Sequence, residues 1–252
     1  MKPHNIIECL KKNKAAINGW LTLPCPFTAE IMANQGYDTL TIDMQHGVID
    51  YEIALSMLQA IATTSTTPIV RVPWLEPGII MKMLDAGAYG IVCPMIQGPQ
   101  DTQSLVKACK YPPKGFRSFG PLRASLCNGN DYPEKANDTI MPIAMIETRT
   151  ALESLEDILS VEGLGGLYIG PFDLSYALGC TPRPDDYEQP VLDAIDRVLT
   201  KAAQHNIPVG IHCITPEYAN RMINKGFNWV TVACDSDFIK SGSAYVMNTL
   251  NN

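Results

Sequence analysis

Between Ile17 and Ala233 the chain alternates short apolar runs rich in β-formers with amphipathic segments of helical period, and no other feature restricts the fold as much. The runs predict strands over residues 17–23, 39–43, 68–72, 90–94, 141–147, 166–169, 208–211 and 229–233. Between them Tyr51, Ala54, Leu55, Leu58, Ile61 and Ala62 form one stripe at the 3.6-residue period, and Val191, Leu192, Ile195, Val198, Leu199 and Ala202 form another. Each stripe needs a sheet to cover. Eight βα units in 252 residues predict a single α/β domain over 1–252, a closed (β/α)8 (TIM) barrel rather than an open doubly wound sheet. The open alternative also lacks its marker, since neither GxGxxG nor GxxxxGKS/T occurs.

Two segments break the rhythm. Residues 111–138 contain YPPKGFRSFGP and a polar stretch, too long and too rich in Pro and Gly for a plain connection. Loops over the C-terminal mouth of a barrel carry active sites, and this segment is expected to be one of them. Residues 179–190 (GCTPRPDDYEQP) form a proline-rich linker to which composition assigns no role.

The formal charge of −7, with Lys and Arg scattered, gives no electrostatic footprint for nucleic acid or for an anionic membrane, so the expected partner is a small molecule. The start, MKPHNIIECLKKNKAAINGW, lacks a continuous apolar segment, and no run approaches the ~18 apolar residues of a membrane span. A cytoplasmic location is expected. The eight cysteines lie at wide spacings with no CxxC, which argues against a zinc site and a disulfide framework and makes them mostly small buried hydrophobes.

In such a barrel the informative residues are polar ones at strand ends. Asp43 to His46, Arg71, Glu147 and the stretch GPFDLS (170–175) stand at four such ends and converge on one mouth if the barrel holds. One such Asp could be a helix N-cap, but two carboxylates (Glu147, Asp173), a guanidinium (Arg71) and an imidazole (His46) are not a set that caps require. Two carboxylates with open positions suit a hard divalent cation such as Mg²⁺ or Mn²⁺, with Co²⁺ admissible, better than zinc. A cation held there acts as a Lewis acid on a carbonyl oxygen, and Arg71 adds fixed positive charge where an enolate develops. The rival aldol device is a Schiff-base lysine inside the barrel, and no lysine falls in a predicted strand. His46 is the natural general base, because an imidazole ordinarily titrates at about 6.5. His212, ending the seventh strand, is a second residue of the mouth.

The segments DMQHG (43–47), RVPW (71–74), LDAGAYGIVCPMI (84–96), YPPKGFRSFGP (111–121), IET (146–148), GGLYIGPFDLS (165–175) and GFNWVTVACD (226–235) resemble, in this order and spacing, the HpcH/HpaI class II pyruvate aldolases. Members include 4-hydroxy-2-oxo-heptanedioate aldolase and 2-keto-3-deoxy-sugar-acid aldolases. The resemblance covers nearly the whole chain. It implies a barrel of the phosphoenolpyruvate/pyruvate type in which Glu147 and Asp173 bind the divalent metal and pyruvate chelates it through its carboxylate and keto oxygen. It further implies that Arg71 contacts the keto or enolate oxygen and that His46 is the base, with Asp85 orienting it. It also implies that backbone groups of Gly170, Pro171, Phe172 and Asp173 hold the pyruvate carboxylate, as a turn leading into a helix can. The family commonly assembles as a trimer of dimers with exchanged terminal helices, so a homo-oligomer, trimer or hexamer, is implied, with residues 238–250 as the exchanged segment.

Two positions depart from the family pattern: Gln45 stands where Glu is common, and Met145 where Gln is common. The enolate half of the reaction is therefore expected to be retained and the aldehyde half to differ. Trp20, Trp74, Leu122, Arg123 and His212 are the expected aldehyde wall. The resulting expectation is reversible cleavage of a 4-hydroxy-2-oxo acid to pyruvate and an aldehyde. Its rivals are a CoA-thioester lyase of the citrate/malyl-CoA type, against which no basic patch for the CoA phosphates is evident, and a silent barrel that binds 2-oxo acids without turnover.

Overall fold

The computed structural model describes residues 3–250. The strands β1 (Ala16–Leu21), β2 (Thr39–Asp43), β3 (Thr67–Arg71), β4 (Gly90–Cys93), β5 (Met141–Ile146), β6 (Gly166–Ile169), β7 (Val209–Cys213) and β8 (Trp229–Val232) each run parallel to the next. Pairing of β8 with β1 closes them into a barrel. The runs at 39–43 and 166–169 coincide with the residues read from sequence, and the other strands differ from that reading by one or two residues at an end.

Helices α2 (Pro26–Ala33), α3 (Tyr51–Ile61), α4 (Pro77–Asp85), α5 (Pro99–Cys109), α8 (Arg149–Glu153), α9 (Leu155–Leu159), α10 (Pro171–Ala177), α11 (Gln189–Gln204) and α12 (Pro216–Lys225) return the chain outside the strands. Several begin with proline, whose missing N–H costs nothing in the first turn. Asp50, Glu76, Thr148 and Thr215 accept hydrogen bonds from the amides of α3, α4, α8 and α12, so the strand-to-helix corners are fixed locally. The stripes of α3 and α11 face inward, with Ala54, Leu58 and Ile61 and with Val191, Ile195, Val198 and Ala202 buried. Among the described residues no helix is long and apolar enough to cross a membrane.

Residues 111–138 are where the sequence reading needs correction. They hold α6 (Leu122–Asn128) and α7 (Tyr132–Thr139) and connect the end of α5 to the start of β5. A connection from helix to strand in a βα barrel lies at the N-terminal end of the strands, so this segment cannot cover the C-terminal mouth. Its first residues fold back on the last turn of α5, where the amides of Phe116 and Arg117 donate to the carbonyls of Lys107 and Lys110.

Strand period sorts the core into two shells. Leu21, Leu40, Ile42, Val70, Ile91, Ile146, Ile211 and Val230 face the helices. Ala16, Trp20, Ile69, Val92, Ile143, Met145, Tyr168 and Trp229 fill the barrel, closed below by Ile6 of α1 (Asn5–Lys11). Trp229 fits because its neighbours across the strands are glycines: a Cβ at Gly210 would overlap the indole, and one at Gly166 would lie 2.9 Å from it. All eight cysteines are free; Cys93, Cys109 and Cys213 are buried and the other five are only partly so. The last helix, α13 (Asp235–Leu250), leaves Phe238, Ile239, Tyr245, Val246, Met247 and Leu250 exposed.

Candidate active site

The inward phase of each strand decides which polar residues meet. Counting by twos places Asn18 and Trp20, Thr39, Thr41 and Asp43, Ile69 and Arg71, Met145 and Glu147, Tyr168 and Gly170, and His212 on the inner face. Asp43 and Arg71 sit directly opposite in the β2–β3 register. The guanidinium grips the carboxylate with two bonds, Nε to Oδ1 at 2.8 Å and Nη2 to Oδ2 at 2.6 Å. Asp43 also accepts from the Gln45 amide at 3.0 Å, the His46 amide at 3.3 Å and the Trp20 indole N–H at 3.2 Å. Burial alone would push the Asp43 carboxyl up, but Arg71 and these amides outweigh it and hold the group below the usual range. Arg71 lies over the Trp20 ring at 4.9 Å and lines a cavity at the mouth of the barrel.

Glu147, one residue beyond β5, is 2% exposed. Its Oε1 accepts from the Met95 amide at 2.7 Å. Met95, the donor, takes a left-handed φ of 56°. Oε2 packs against Gly170, where a Cβ would overlap it. Burial pushes the Glu147 carboxyl up to about 7; the Met95 N–H opposes this, the charge of Asp173 adds to it, and Arg71 opposes it. This buried, under-compensated carboxylate beside Asp173 is what a divalent cation would stabilise. Among the described residues no group of three or more His, Cys, Asp or Glu could hold a metal; Glu147 and Asp173 are the two carboxylates that line this cavity. That donor set fits Mg²⁺ or Mn²⁺ and not a closed zinc site.

A polar chain crosses the barrel beneath these groups, and no motif announced it. Thr39 and Thr41 donate to Asn18 Oδ1 (2.7 and 3.1 Å), Asn18 Nδ2 donates to Thr231 Oγ1 (2.8 Å), and the Tyr168 hydroxyl donates to the same oxygen (2.6 Å). His212 Nδ1 lies 3.2 Å from the Tyr168 oxygen. Trp20 stacks on Tyr168 at 5.6 Å and meets the His212 ring edge-on at 5.2 Å. Burial, reinforced by Arg71, pushes His212 down to about 4, so it is neutral near pH 7. The linker at 179–190 braces this strand end: Asp185 accepts from the amides of Ile214 and Thr215 and from the Thr215 hydroxyl, just past β7.

These residues enclose a cavity of about 340 Å³ lined by Trp20, His46, Arg71, Met145, Glu147, Tyr168, residues 170–173, Tyr176 and His212. Arg71, Glu147, Asp173, His46 and His212 are thus brought together, with Gly170, Pro171 and Phe172 forming one wall. His46 is exposed at the rim. Asp85 is not part of this group. It ends α4, just before β4 starts at the opposite end of the barrel, where Arg117 Nη2 binds it at 2.6 Å; within one chain it cannot orient His46. Leu122 and Arg123 leave the expected aldehyde wall for the same reason, since they open α6 and Arg123 donates to the carbonyls of Ala86 and Leu58. Trp74 is exposed and does not line the cavity. Met145 is both core and wall, 2% exposed with its methyl toward Gly170. Among the described residues the buried Gln45 amide oxygen has no hydrogen-bond partner.

The larger cavity, about 990 Å³, lies elsewhere and includes Lys110, Ile140 and Met141, at the start of β5. Lys110 is the buried lysine among the described residues, pushed down to about 8 by burial, and it donates to the carbonyls of Asn137 and Ile140. It stands at the wrong end of the barrel to form an imine with a substrate in the mouth. No strand carries a lysine.

Comparison with known proteins gives consistent results. The family model described as HpcH/HpaI aldolase/citrate lyase matches residues 17–241. A hydroxypyruvate/pyruvate aldolase of Rhizorhabdus wittichii is 41% identical over 244 residues, covering 97% of each chain. A 4-hydroxy-2-oxo-heptane-1,7-dioate aldolase of Escherichia coli is 35% identical, covering 91% of this chain and 88% of its own. The crystal structure of a HpcH/HpaI aldolase/citrate lyase family protein from Burkholderia cenocepacia superposes with a TM-score of 0.91 at 29% identity, covering 99% of this chain and 100% of that one.

Proposed function

The chain belongs to the HpcH/HpaI aldolase/citrate lyase family and is an aldolase, and from that premise we propose that it reversibly cleaves a 4-hydroxy-2-oxo acid to pyruvate and an aldehyde in the cavity at the C-terminal mouth. The observation that carries the reading is the meeting of Glu147 and Asp173 with Arg71 and His46 around one cavity, in a barrel whose strands carry no lysine. Glu147 and Asp173 would hold a divalent cation, Mg²⁺ or Mn²⁺, which when bound supplies Lewis-acid polarisation of a 2-oxo oxygen.

The protein's own groups do the rest. The Phe172 and Asp173 amides at the start of α10 receive the substrate carboxylate; Pro171 has no N–H to offer. Arg71, locked by Asp43, aims its remaining N–H groups at the 2-oxo oxygen, where negative charge develops as the bond between C3 and C4 breaks. His46 takes the proton from the C4 hydroxyl, the C3–C4 electron pair passes into the enolate of pyruvate, and the aldehyde leaves. The proton taken by His46 is returned to C3, which gives pyruvate and restores the neutral imidazole. The exposed apolar side chains of α13 support assembly into a homo-oligomer through that helix.

Pyruvate release from racemic 4-hydroxy-2-oxo acids tests the reading. Release should vanish with EDTA and return with Mg²⁺ or Mn²⁺; release indifferent to chelation would refute it.

A further inference from the structure

The polar chain inside the barrel fixes more than shape. Tyr168 has one hydroxyl proton, and at 2.6 Å it is committed to Thr231. The 3.2 Å separation from His212 is long for an O–H···N bond and ordinary for N–H···O. With that proton given to Thr231, the Tyr168 oxygen offers His212 its lone pairs, which favours the tautomer with the histidine proton on Nδ1. Nε2 is then an acceptor. Among the described residues it has no hydrogen-bond partner, it is not sealed off as a buried unpartnered atom, and its ring lines the cavity. Trp20 packs edge-on against the imidazole at 5.2 Å, and the Trp20 ring is itself held by its N–H bond to Asp43.

We propose that His212 Nε2 accepts a hydrogen bond from a substrate hydroxyl, so that this aldolase prefers hydroxylated substrates to those bearing a methyl group or a second carboxylate at the same place. The inference rests on the aldolase reading above. A neutral Nδ1–H imidazole presents a lone pair to the cavity; a methyl leaves that lone pair unpaired, and a carboxylate meets it with lone pairs of its own. Neutrality is secured by burial and by Arg71, which push the imidazole well below its ordinary range. The hydroxyl belongs either to the aldehyde, beside its carbonyl, or to C3 of the 2-oxo acid. Tyr168 is the positioning residue that selects the tautomer, with Thr231 and Asn18 behind it.

Two measurements test this. In protein labelled with ¹⁵N-histidine, the His212 resonances, assigned by their loss in His212→Gln, should show a pyridine-type Nε2 and a pyrrole-type Nδ1, and Tyr168→Phe should move the proton toward Nε2. A pyrrole-type Nε2 in the wild type overturns the proposal. Kinetics then use near-isosteric pairs: glycolaldehyde against propionaldehyde with pyruvate as donor, and hydroxypyruvate against 2-oxobutanoate with one aldehyde, with succinic semialdehyde as the carboxylate case. His212→Leu should lower the hydroxyl preference in kcat/KM by about 10-fold, the worth of one neutral hydrogen bond, in the pair whose hydroxyl reaches His212. His212→Gln, whose amide oxygen also accepts, should keep most of it. The pair that changes identifies the source of the hydroxyl. Ratios unchanged in both pairs by His212→Leu overturn the proposal. A wild type with no aldol turnover overturns the aldolase reading and this inference with it, an outcome distinct from turnover that ignores His212.

Discussion

Replacing Arg71 by alanine separates what that residue does for the fold from what it does for the reaction. Asp43 is 1% exposed and receives two of its five hydrogen bonds from Arg71. Removing one partner of a buried ion pair costs ~3–5 kcal/mol, because the other charge stays buried. Here the Trp20, Gln45 and His46 N–H groups remain, so a loss toward ~2–3 kcal/mol is expected for Arg71→Ala in urea unfolding. Neutralising the survivor in Arg71→Ala/Asp43→Asn should recover ~1–2 kcal/mol of that loss. Catalysis should not follow stability. A donor aimed at a developing oxyanion is worth ~3–4 kcal/mol, a loss of ~10²- to 10³-fold in kcat, and the double variant should stay as inactive as the single one. If Arg71→Ala keeps wild-type turnover, or if Asp43→Asn restores it alongside the fold, Arg71 is structural and its assigned role is refuted.

Glu147 predicts a pH dependence. Its folded-state carboxyl is raised to about 7, so the fold favours the protonated form. In metal-free protein, stability is full below the ordinary glutamate range, declines by ~3 kcal/mol as pH rises from about 4.5 to about 7, and is flat above. Glu147→Gln should remove that slope in urea unfolding measured across the same range. In the barrel floor, Gly210→Ala drives a Cβ into the Trp229 indole and should cost ~1–3 kcal/mol or more by thermal unfolding, with the Trp229 fluorescence shifted.

Most of the site was legible because strand period and strand-end polarity follow from sequence. Asp43, Arg71, Glu147 and His212 sit at or just beyond the ends of runs whose inward phase can be counted, and the structure brings all four to one mouth. Asp85 and residues 111–138 were misplaced because periodicity locates elements without saying which end of the barrel a connection occupies. Chain direction supplies that: Asp85 precedes a strand and His46 follows one. The chain of Asn18, Thr39, Thr41, Tyr168 and Thr231 was invisible for another reason. Each residue looks like an ordinary strand residue, and only the closure of β8 onto β1 puts Thr231 within reach of Asn18. Polar residues in the inward phase, Asn18 on β1, Thr39 and Thr41 on β2 and Thr231 on β8, were the available signal. The 179–190 linker likewise acquires a role only when β7 is in place for Asp185 to cap.

In the proposed reaction this mouth forms the enolate of pyruvate, with Glu147 holding the divalent cation. Exchange of the pyruvate methyl protons in D₂O, followed by NMR, measures that step without any aldehyde. The wild type with Mg²⁺ or Mn²⁺ should exchange them, and EDTA or Glu147→Gln should stop the exchange. Exchange that survives both, or its absence in the metal-loaded wild type, would rule out enolate formation at a cation held by Glu147.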